Sequence, residues 1–577
     1  MNAHQPVDTP YQGDDSIKPG RRLIRLDDGG LSLAEKLAAR LQSVVWRTPL
    51  HRLRLRGKFP LKLIAVPEDP IPGDRVRGQA LLEGRAFFHG QEIALADLDF
   101  GALDLSPGFA DYLQSFEWLR DLAAVADREE ATPIAERLMR NWVENYGTRV
   151  AQKSWRADLW GQRMMVWTAH APLILSSGDL VYRSSVLNVM ARGARHLDRA
   201  ASKAPLGAAQ VQAWSGVIAA GLLVQGGEGR IGRGEAGLAR TLSQTLTADG
   251  GVICRSPRSQ LVIVETLAML RATYDARRQE FPAPFESALA YAVPALLGVT
   301  HGDGGLASWQ GSWPTGSRRV AAAVEASGQR ALPLRNARDW GYHRLQAGDT
   351  AVIIDAAPPP SMRLETGGCA STLAFEMSDG PHRIVVNCGG AGGSALAPAF
   401  AAGLRTTAAH STLTLSDSNS TALNSDGSLG RGVVEVELDR HESTGVSRIE
   451  ANHDGYVRRF GFLHKRQIGL SEEGDELRGA DVLLPTGRKR NEDTPFSLRF
   501  HLSPDIEVTP TGEGDGALLR IEGGPAWHFR CRGAALAIED SVWVDDRSQA
   551  CPSHQLAISG QAPPGGETIS WMFRRAG

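Results

Sequence analysis

The stretch Leu373–Gly390, LAFEMSDGPHRIVVNCGG, followed after a Gly/Ala-rich loop by Leu404–Ser420, LRTTAAHSTLTLSDSNS, decides how this chain reads. Two apolar runs of strand length, rich in β-branched residues, are broken by Asp379-Gly380-Pro381 and by the glycines from Gly389 to Gly393. That pattern predicts antiparallel strands joined by turns. One histidine, His410, stands directly ahead of the alternating run Ser411-Thr412-Leu413-Thr414-Leu415, where a strand would hold its ring near a sheet face.

Outward from this stretch, length and composition bound the answer. At 577 residues the chain exceeds what one hydrophobic core usually supports, so at least two domains are expected. With 63 basic against 65 acidic residues there is no global basic field. A nucleic-acid partner is therefore not expected, and any polyanion site has to be a local patch. Five scattered cysteines, Cys254, Cys369, Cys388, Cys531 and Cys551, show neither a metal spacing nor a disulfide framework and fit a reducing compartment. The opening MNAHQPVDTPYQGDDSIKPGRR is polar, lacks the apolar core of a signal peptide, and reads with its neighbours as a disordered tail over residues 1–30. No later run approaches the ~20 apolar residues of a membrane span, and the direct reading is a cytoplasmic protein.

From Ser106 to about Val299 the apolar residues recur three and four apart, which predicts eight or so helices in hairpins. Trp118, Trp142, Trp155, Trp160, Trp167 and Trp214 lie on these helices, either lining a sugar groove or packed as core. The segment His301–Arg319 is a turn-rich linker, with Trp309 and Trp313 expected at an interdomain cleft. From Ser327 to Trp571 short strands recur at close spacing between Gly, Asp and Ser turns, the pattern of a large sandwich. The expected division is a helical domain with an N-terminal extension over 31–310 and an antiparallel β-sandwich over 311–577.

The order F-E-x-S-x-G (Phe375–Gly380), I-V-V-N-C-G (Ile384–Gly389) and R-T-T-A-A-H-S-T-L (Arg405–Leu413) resembles the C-terminal region of heparinase II/III-like proteins. These are polysaccharide lyases that join an α/α toroid to a β-sandwich, and their usual compartment is the periplasm or cell envelope. The resemblance implies β-elimination on a uronate-containing, anionic polysaccharide such as a glycosaminoglycan. That chemistry needs a group to neutralise the carboxylate, a base for the C5 proton and an acid for the leaving oxygen. On the family pattern His410 is the retained histidine, while "H-D-G-Y … H-x-R" adds His453, Tyr456 and Arg466, with His410, His453 and Tyr456 as the catalytic candidates. The helical segment Ala248–Leu261 matches the position of a family segment that ends in a catalytic tyrosine. Gln260 stands near that point, and Arg255 and Arg258 supply guanidinium groups suited to a carboxylate or sulfate. Trp309 completes the expected substrate contacts.

Family members can bind zinc here. In this chain Gly367 and Cys369 stand where the two histidines belong, Ser371 at the first aspartate and Asn387 at the second, so no metal cofactor is expected. The alternative to a lyase is a catalytically altered glycan-binding or envelope-assembly protein on the same scaffold.

Overall fold

Helix starts in this chain are set by side chains that accept otherwise orphaned amides. Asp74, Asp127 and Asp179 each take two amide N–H groups, and Ser256 takes that of Ser259 ahead of Pro257. The computed structural model describes residues 22–25, 54–55, 57, 62–150, 153–361, 364–443, 445–487, 492–512 and 514–576. Its main helices are Arg75–Leu82, Pro107–Ser115, Trp118–Ala123, Arg128–Tyr146, Ala157–Ala169, Leu180–Ala200, Ala208–Leu223, Ile231–Thr245, Pro257–Ala276, Ala283–Gly298 and Ser317–Ala326. Two runs that read as single helices are broken. Phe116 adopts φ 68° and separates Pro107–Ser115 from Trp118–Ala123. Helix Ala157–Ala169 stops at His170, two residues before Pro172, because proline disfavours helical backbone ahead of it.

The tryptophans take the core alternative. Trp118, Trp142, Trp155, Trp160 and Trp167 are fully buried. Trp142, Trp160 and Trp167 meet edge to face at 5.4–5.8 Å, and the Arg163 guanidinium lies over Trp142 and Trp160. Such T-shaped contacts favour a packed aromatic centre, and no indole of this group lines an open groove.

The C-terminal half is two antiparallel nine-stranded sheets packed face to face. One runs in the order Arg22–Arg25, Glu435–Ser443, Val446–His453, Phe462–Ser471, Glu476–Pro485, Glu567–Arg575, Trp527–Arg532, Gly516–Ile521, Ile506–Pro510. The other runs Ala535–Val544, Ala550–Ala562, Thr494–Leu502, His382–Val386, Phe375–Asp379, Thr350–Asp355, Tyr342–Ala347, Asn336–Ala337, with Leu413–Leu415 also on Thr494–Leu502. Strand Phe462–Ser471 alternates strictly between buried and half-buried, as a strand with one face on the core should. Between the sheets Phe375 stacks on Trp571 at 5.5 Å and Phe500, Phe529 and Phe573 close the cluster.

The residues of the expected tail are described only at Arg22–Arg25, which form a strand on Glu435–Ser443; the rest of 1–30 lies outside the described residues. Helix Ser317–Ala326 still belongs to the helical layer, burying Val320 and Ala323 in the helical core, so the change to strands comes between Ala326 and Asn336, later than the expected position near 310. The halves are not independent: Trp340, Tyr342 and Ile353 of the first strands belong to the helical core. The Asp249-Gly250-Gly251 turn shows how close they come, because a Cβ on Gly251 would meet the Trp340 ring at 2.1 Å. Among the described residues no helix is long and apolar enough to cross a membrane.

Candidate ligand-binding site

The residues singled out from sequence separate into a sealed group and an open one. His410 is fully buried; its Nδ1 meets the Thr406 carbonyl at 2.7 Å, and Nε2 has no hydrogen-bond partner. Burial lowers its pKa, so the ring is neutral, with Nδ1 donating to Thr406.

His453 and Arg466 sit in one buried chain on adjacent strands. The Gly455 amide donates to His453 Nδ1, which leaves the proton on Nε2; that nitrogen is 3.1 Å from His464 Nδ1, and His464 Nε2 is 2.6 Å from Asp481 Oδ1. Both rings are thus neutral and each N–H has one acceptor. Arg466 Nε donates to Asp481 Oδ1 at 2.8 Å, Arg466 Nη1 donates to the Leu373 and Ser411 carbonyls, and Trp571 Nε1 donates to Asp481 Oδ2. Against the cost of burial, Arg466 and His464 hold the Asp481 carboxyl at about 2. Tyr456 donates to the Leu413 carbonyl at 2.8 Å inside the sandwich core, and burial raises its pKa. Donors and acceptors so committed leave no atom of this set facing an open space where a sugar would bind.

The helical candidates divide in the same way. Gln260 is buried: it accepts from the Val252 amide and donates to the Gly250 and Ala292 carbonyls, a brace for the turn before its helix. Arg255, at φ 58°, pairs with Asp355 at 2.5 Å, donates to the Trp340 and Pro358 carbonyls, and lies 4.8 Å over Tyr342. It bolts the helical half to the strands. Trp309 is fully buried and stacks on the same Tyr342 at 5.4 Å.

The positions matched to the metal ligands are similarly committed. The Cys369 thiol is 3.5 Å from the Gly367 carbonyl, Ser371 donates to Asp355, and the Asn387 amide joins Glu376 to the Ser411 amide. No three His, Cys, Asp or Glu side chains converge as a metal site among the described residues. This donor set does not fit a zinc ion, which favours three or four imidazole, thiolate or carboxylate ligands.

Of the residues expected to bind or act on substrate, Arg258 faces an open cavity, together with Trp313 of the linker. A pocket of about 280 Å³ lies where the two halves meet, lined from the helical half by Arg77, His89, Glu117, Arg120, Arg258, Arg318 and Arg319, from the linker by Trp313, and from the sandwich by Asp546. Three of its arginines are neutralised by carboxylates. Arg77 pairs with Asp121 at 2.8 Å, Arg120 with Asp69 at 2.6 Å, and Arg319 grips Glu265 with two bonds of 2.5 and 3.0 Å. Arg258 makes no hydrogen bond or ion pair among the described residues; its guanidinium lies 5.0 Å over the Trp313 ring. Burial and the neighbouring Arg319 bring its pKa down to about 10, so it stays charged at neutral pH. His89, at the left-handed φ of 45°, contacts Ser548 and meets Trp313 edge-on at 5.4 Å. Burial and Arg258 lower its pKa to about 3, which keeps it neutral. Against burial, Arg319 and Arg120 hold the Glu117 carboxyl at about 2.

An uncommitted guanidinium on an indole face suits an anionic group carried on a ring with an apolar face. Sequence reasoning placed Trp313 at the cleft but did not find His89, which comes from a small hairpin of Arg85–Phe88 and Gln91–Ala94 with no motif around it.

Comparison with known proteins agrees with this architecture. The model of the heparinase II/III-like C-terminal domain matches residues 329–572. FtsZ-localized protein C of Caulobacter vibrioides (strain NA1000 / CB15N) is 31% identical over 563 residues, covering 91% of this chain and 92% of that protein. The chain belongs to the heparinase II/III-like family. The crystal structure of heparinase III superposes with TM-score 0.68 over 96% of this chain and 93% of its own, at 12% identity. Heparan sulfate lyase HepC from Pedobacter heparinus gives 0.56 over 96% and 92%, at 14%. At those identities the superpositions establish the shared fold of helical toroid and β-sandwich. The heparinase II/III-like scaffold of this chain is therefore one shared with polysaccharide lyases.

Proposed function

We propose that this heparinase II/III-like chain is a catalytically altered, glycan-binding member of the family, which holds an acidic sugar unit in the interdomain pocket without cleaving the polymer. The observation that carries this reading is the division just described. The acid and base candidates of the sandwich, His410, His453 and Tyr456, are buried with their protons assigned to internal partners, whereas Arg258, with no hydrogen bond or ion pair among the described residues, sits in the open pocket on Trp313. Binding needs the second arrangement; β-elimination needs the first to reach solvent.

The relative named FtsZ-localized protein C supports a setting at the division machinery, and we place the chain on the cytoplasmic side of the envelope. Its five cysteines are free, four of them buried, which suits a reducing compartment. A lyase acting on a uronate polymer is the second reading, and His89 favours it: a neutral imidazole in the pocket beside a free guanidinium is a base next to a carboxylate anchor. An imidazole at about 3 is a weak base at neutral pH.

The test is a panel of heparin, heparan sulfate, alginate and native exopolysaccharide, scored for binding and for the ultraviolet absorbance of an unsaturated uronate product. Saturable binding without absorbance, lost in Arg258→Ala, is expected. Absorbance that vanishes in His89→Ala would establish the lyase instead.

A further inference from the structure

The sandwich has four sheet edges, and three are short. Asn336–Ala337 has two residues, Arg22–Arg25 four, and Ile506–Pro510 five, ending in a proline. The fourth, Ala535–Val544, is a ten-residue strand paired on one side only, with Ala550–Ala562. Long open edges are normally blunted, because their outward N–H and C=O groups are a template for another strand. This one is not.

Which residues point outward follows from two contacts. The Val544 N–H donates to the Cys388 carbonyl at 3.0 Å, away from the partner strand, while the next amide, Asp545, turns inward to Gln549. Alternation along the strand then directs the backbone groups of Leu536, Ile538, Asp540 and Val542 outward. Among the described residues no backbone group bonds to these four from the outer side; the Asp540 carbonyl takes only a 3.4 Å bond from the Gln555 side chain, and the Val542 amide faces the Cys388 thiol.

The open edge also has a facing wall. A groove of about 570 Å³ runs between Asp540–Val542 and the helix Pro398–Gly403, with Phe400, Leu404, Ala409 and Cys388 along it. His501 on its floor accepts from Ser541 at 2.8 Å through Nδ1 and donates to the Ala408 carbonyl at 2.9 Å. Burial holds that imidazole at about 3 and the Cys388 thiol at about 12, so neither is a ready base or nucleophile at neutral pH. The groove has the make-up of a surface that holds a chain rather than one that cuts it.

We propose that the edge of strand Ala535–Val544 and the helix Pro398–Gly403 form a docking slot for an extended peptide segment of a partner protein, added as a further antiparallel strand, with small apolar residues in its middle and flanking basic residues that meet Glu539 and Asp540. A slot between an edge strand and a helix is the geometry of strand addition: main-chain bonds supply affinity and alternate side chains supply choice. The fold already uses this device once, where Arg22–Arg25 adds to Glu435–Ser443 across more than four hundred positions of sequence. Two copies pairing edge to edge would bring Glu539 and Asp540 of each against those of the other, so a basic segment fits better than a second copy.

The test uses the full-length protein and three labelled peptides, KKVTVTVTKK, EEVTVTVTEE and the strand-breaking KKVTPTVTKK, followed by fluorescence anisotropy. The first should bind saturably and the other two at least about tenfold more weakly, a difference of roughly 1.4 kcal/mol. Asp540→Pro removes an outward amide without touching the ladder to Ala550–Ala562, since proline is tolerated on a free edge; it should abolish binding of the first peptide. The double variant Glu539→Lys/Asp540→Lys should instead prefer the acidic peptide, and needs no proline to be tolerated. Hydrogen exchange should show new protection at Leu536, Ile538 and Asp540 when the first peptide is present. Absence of saturable binding, equal binding of all three peptides, or protection of those amides before any peptide is added would overturn the proposal. These readouts do not involve Arg258 or the interdomain pocket, so they stand or fall apart from glycan binding.

Discussion

Two polar regions of this molecule are built from the same residue types and do opposite things. In the sandwich interior His453, His464, Arg466 and Asp481 form a chain in which every link has an internal partner. In the interdomain pocket His89 stands beside Arg258, which has an aromatic face beneath it and no direct ion pair. The difference teaches that a histidine and an arginine close in sequence to a family motif carry no function by themselves. What matters is whether their hydrogen-bonding capacity is spent inside the protein or left facing a cavity.

The sharpest way to break the comparison is to unbalance the sealed side. Asp481→Ala leaves Arg466 and His464 buried without their carboxylate, and a loss of ~3–5 kcal/mol in denaturant unfolding is expected. A variant near wild-type stability would mean water reaches that chain, and the sealed description would fail. Arg255→Ala removes the bolt between Asp355 and the first strands, with an expected cost of about 3 kcal/mol. Because it joins the two halves, it should also split one unfolding transition into two in a calorimeter; a single, unshifted transition would count against it.

Acid separates the regions less strongly. The folded-state pKa values of His89 and His501 lie near 3, below the ordinary 6.5. Below 6.5 the unfolded chain takes up protons that the folded one refuses, so stability is full above that pH and falls as pH drops toward 3. The slope is about 1.4 kcal/mol per pH unit for each such ring. His89→Gln should flatten the curve in urea titrations between pH 6 and 4, and an unchanged slope would place His89 in contact with water.

The smallest effect on stability belongs to Arg258→Ala, within about 0.5 kcal/mol, because no ion pair is broken. Its effect on acidic glycan binding should be large by comparison, a roughly tenfold or greater weakening in calorimetric titration. Equal affinity would move the ligand away from the pocket.

Much of the architecture was legible before any coordinates. The Asp379-Gly380-Pro381 break does turn strand Phe375–Asp379 into His382–Val386, and the three-and-four spacing does mark the helices. The interruptions at Phe116 and His170 were harder to see. Phe116 takes a left-handed backbone that its own residue type does not announce, although Pro172 could have signalled the second. Of the residues lining the candidate pocket, Arg258 and Trp313 were singled out from sequence because a guanidinium near a helix start and an indole in a linker are readable signals. His410, Gln260 and Trp309 carried equally readable signals, yet the structure packs each of them inside.

Local sequence by itself determined which segments are helix, strand or turn, and by family motif the pairing of toroid with sandwich, since periodicity, caps and turn residues act over a few positions. Only the tertiary structure decided which polar side chains remain available. That depends on partners far along the chain, such as Asp355 for Arg255, Asp481 for Arg466 and Glu265 for Arg319. It depends equally on Arg258, to which the fold brings no hydrogen bond or ion pair among the described residues. Burial makes an unmatched charge costly, so the buried Arg163 and Arg344, which lack a carboxylate, donate to backbone carbonyls instead, while Arg258 stays at the opening between the two halves.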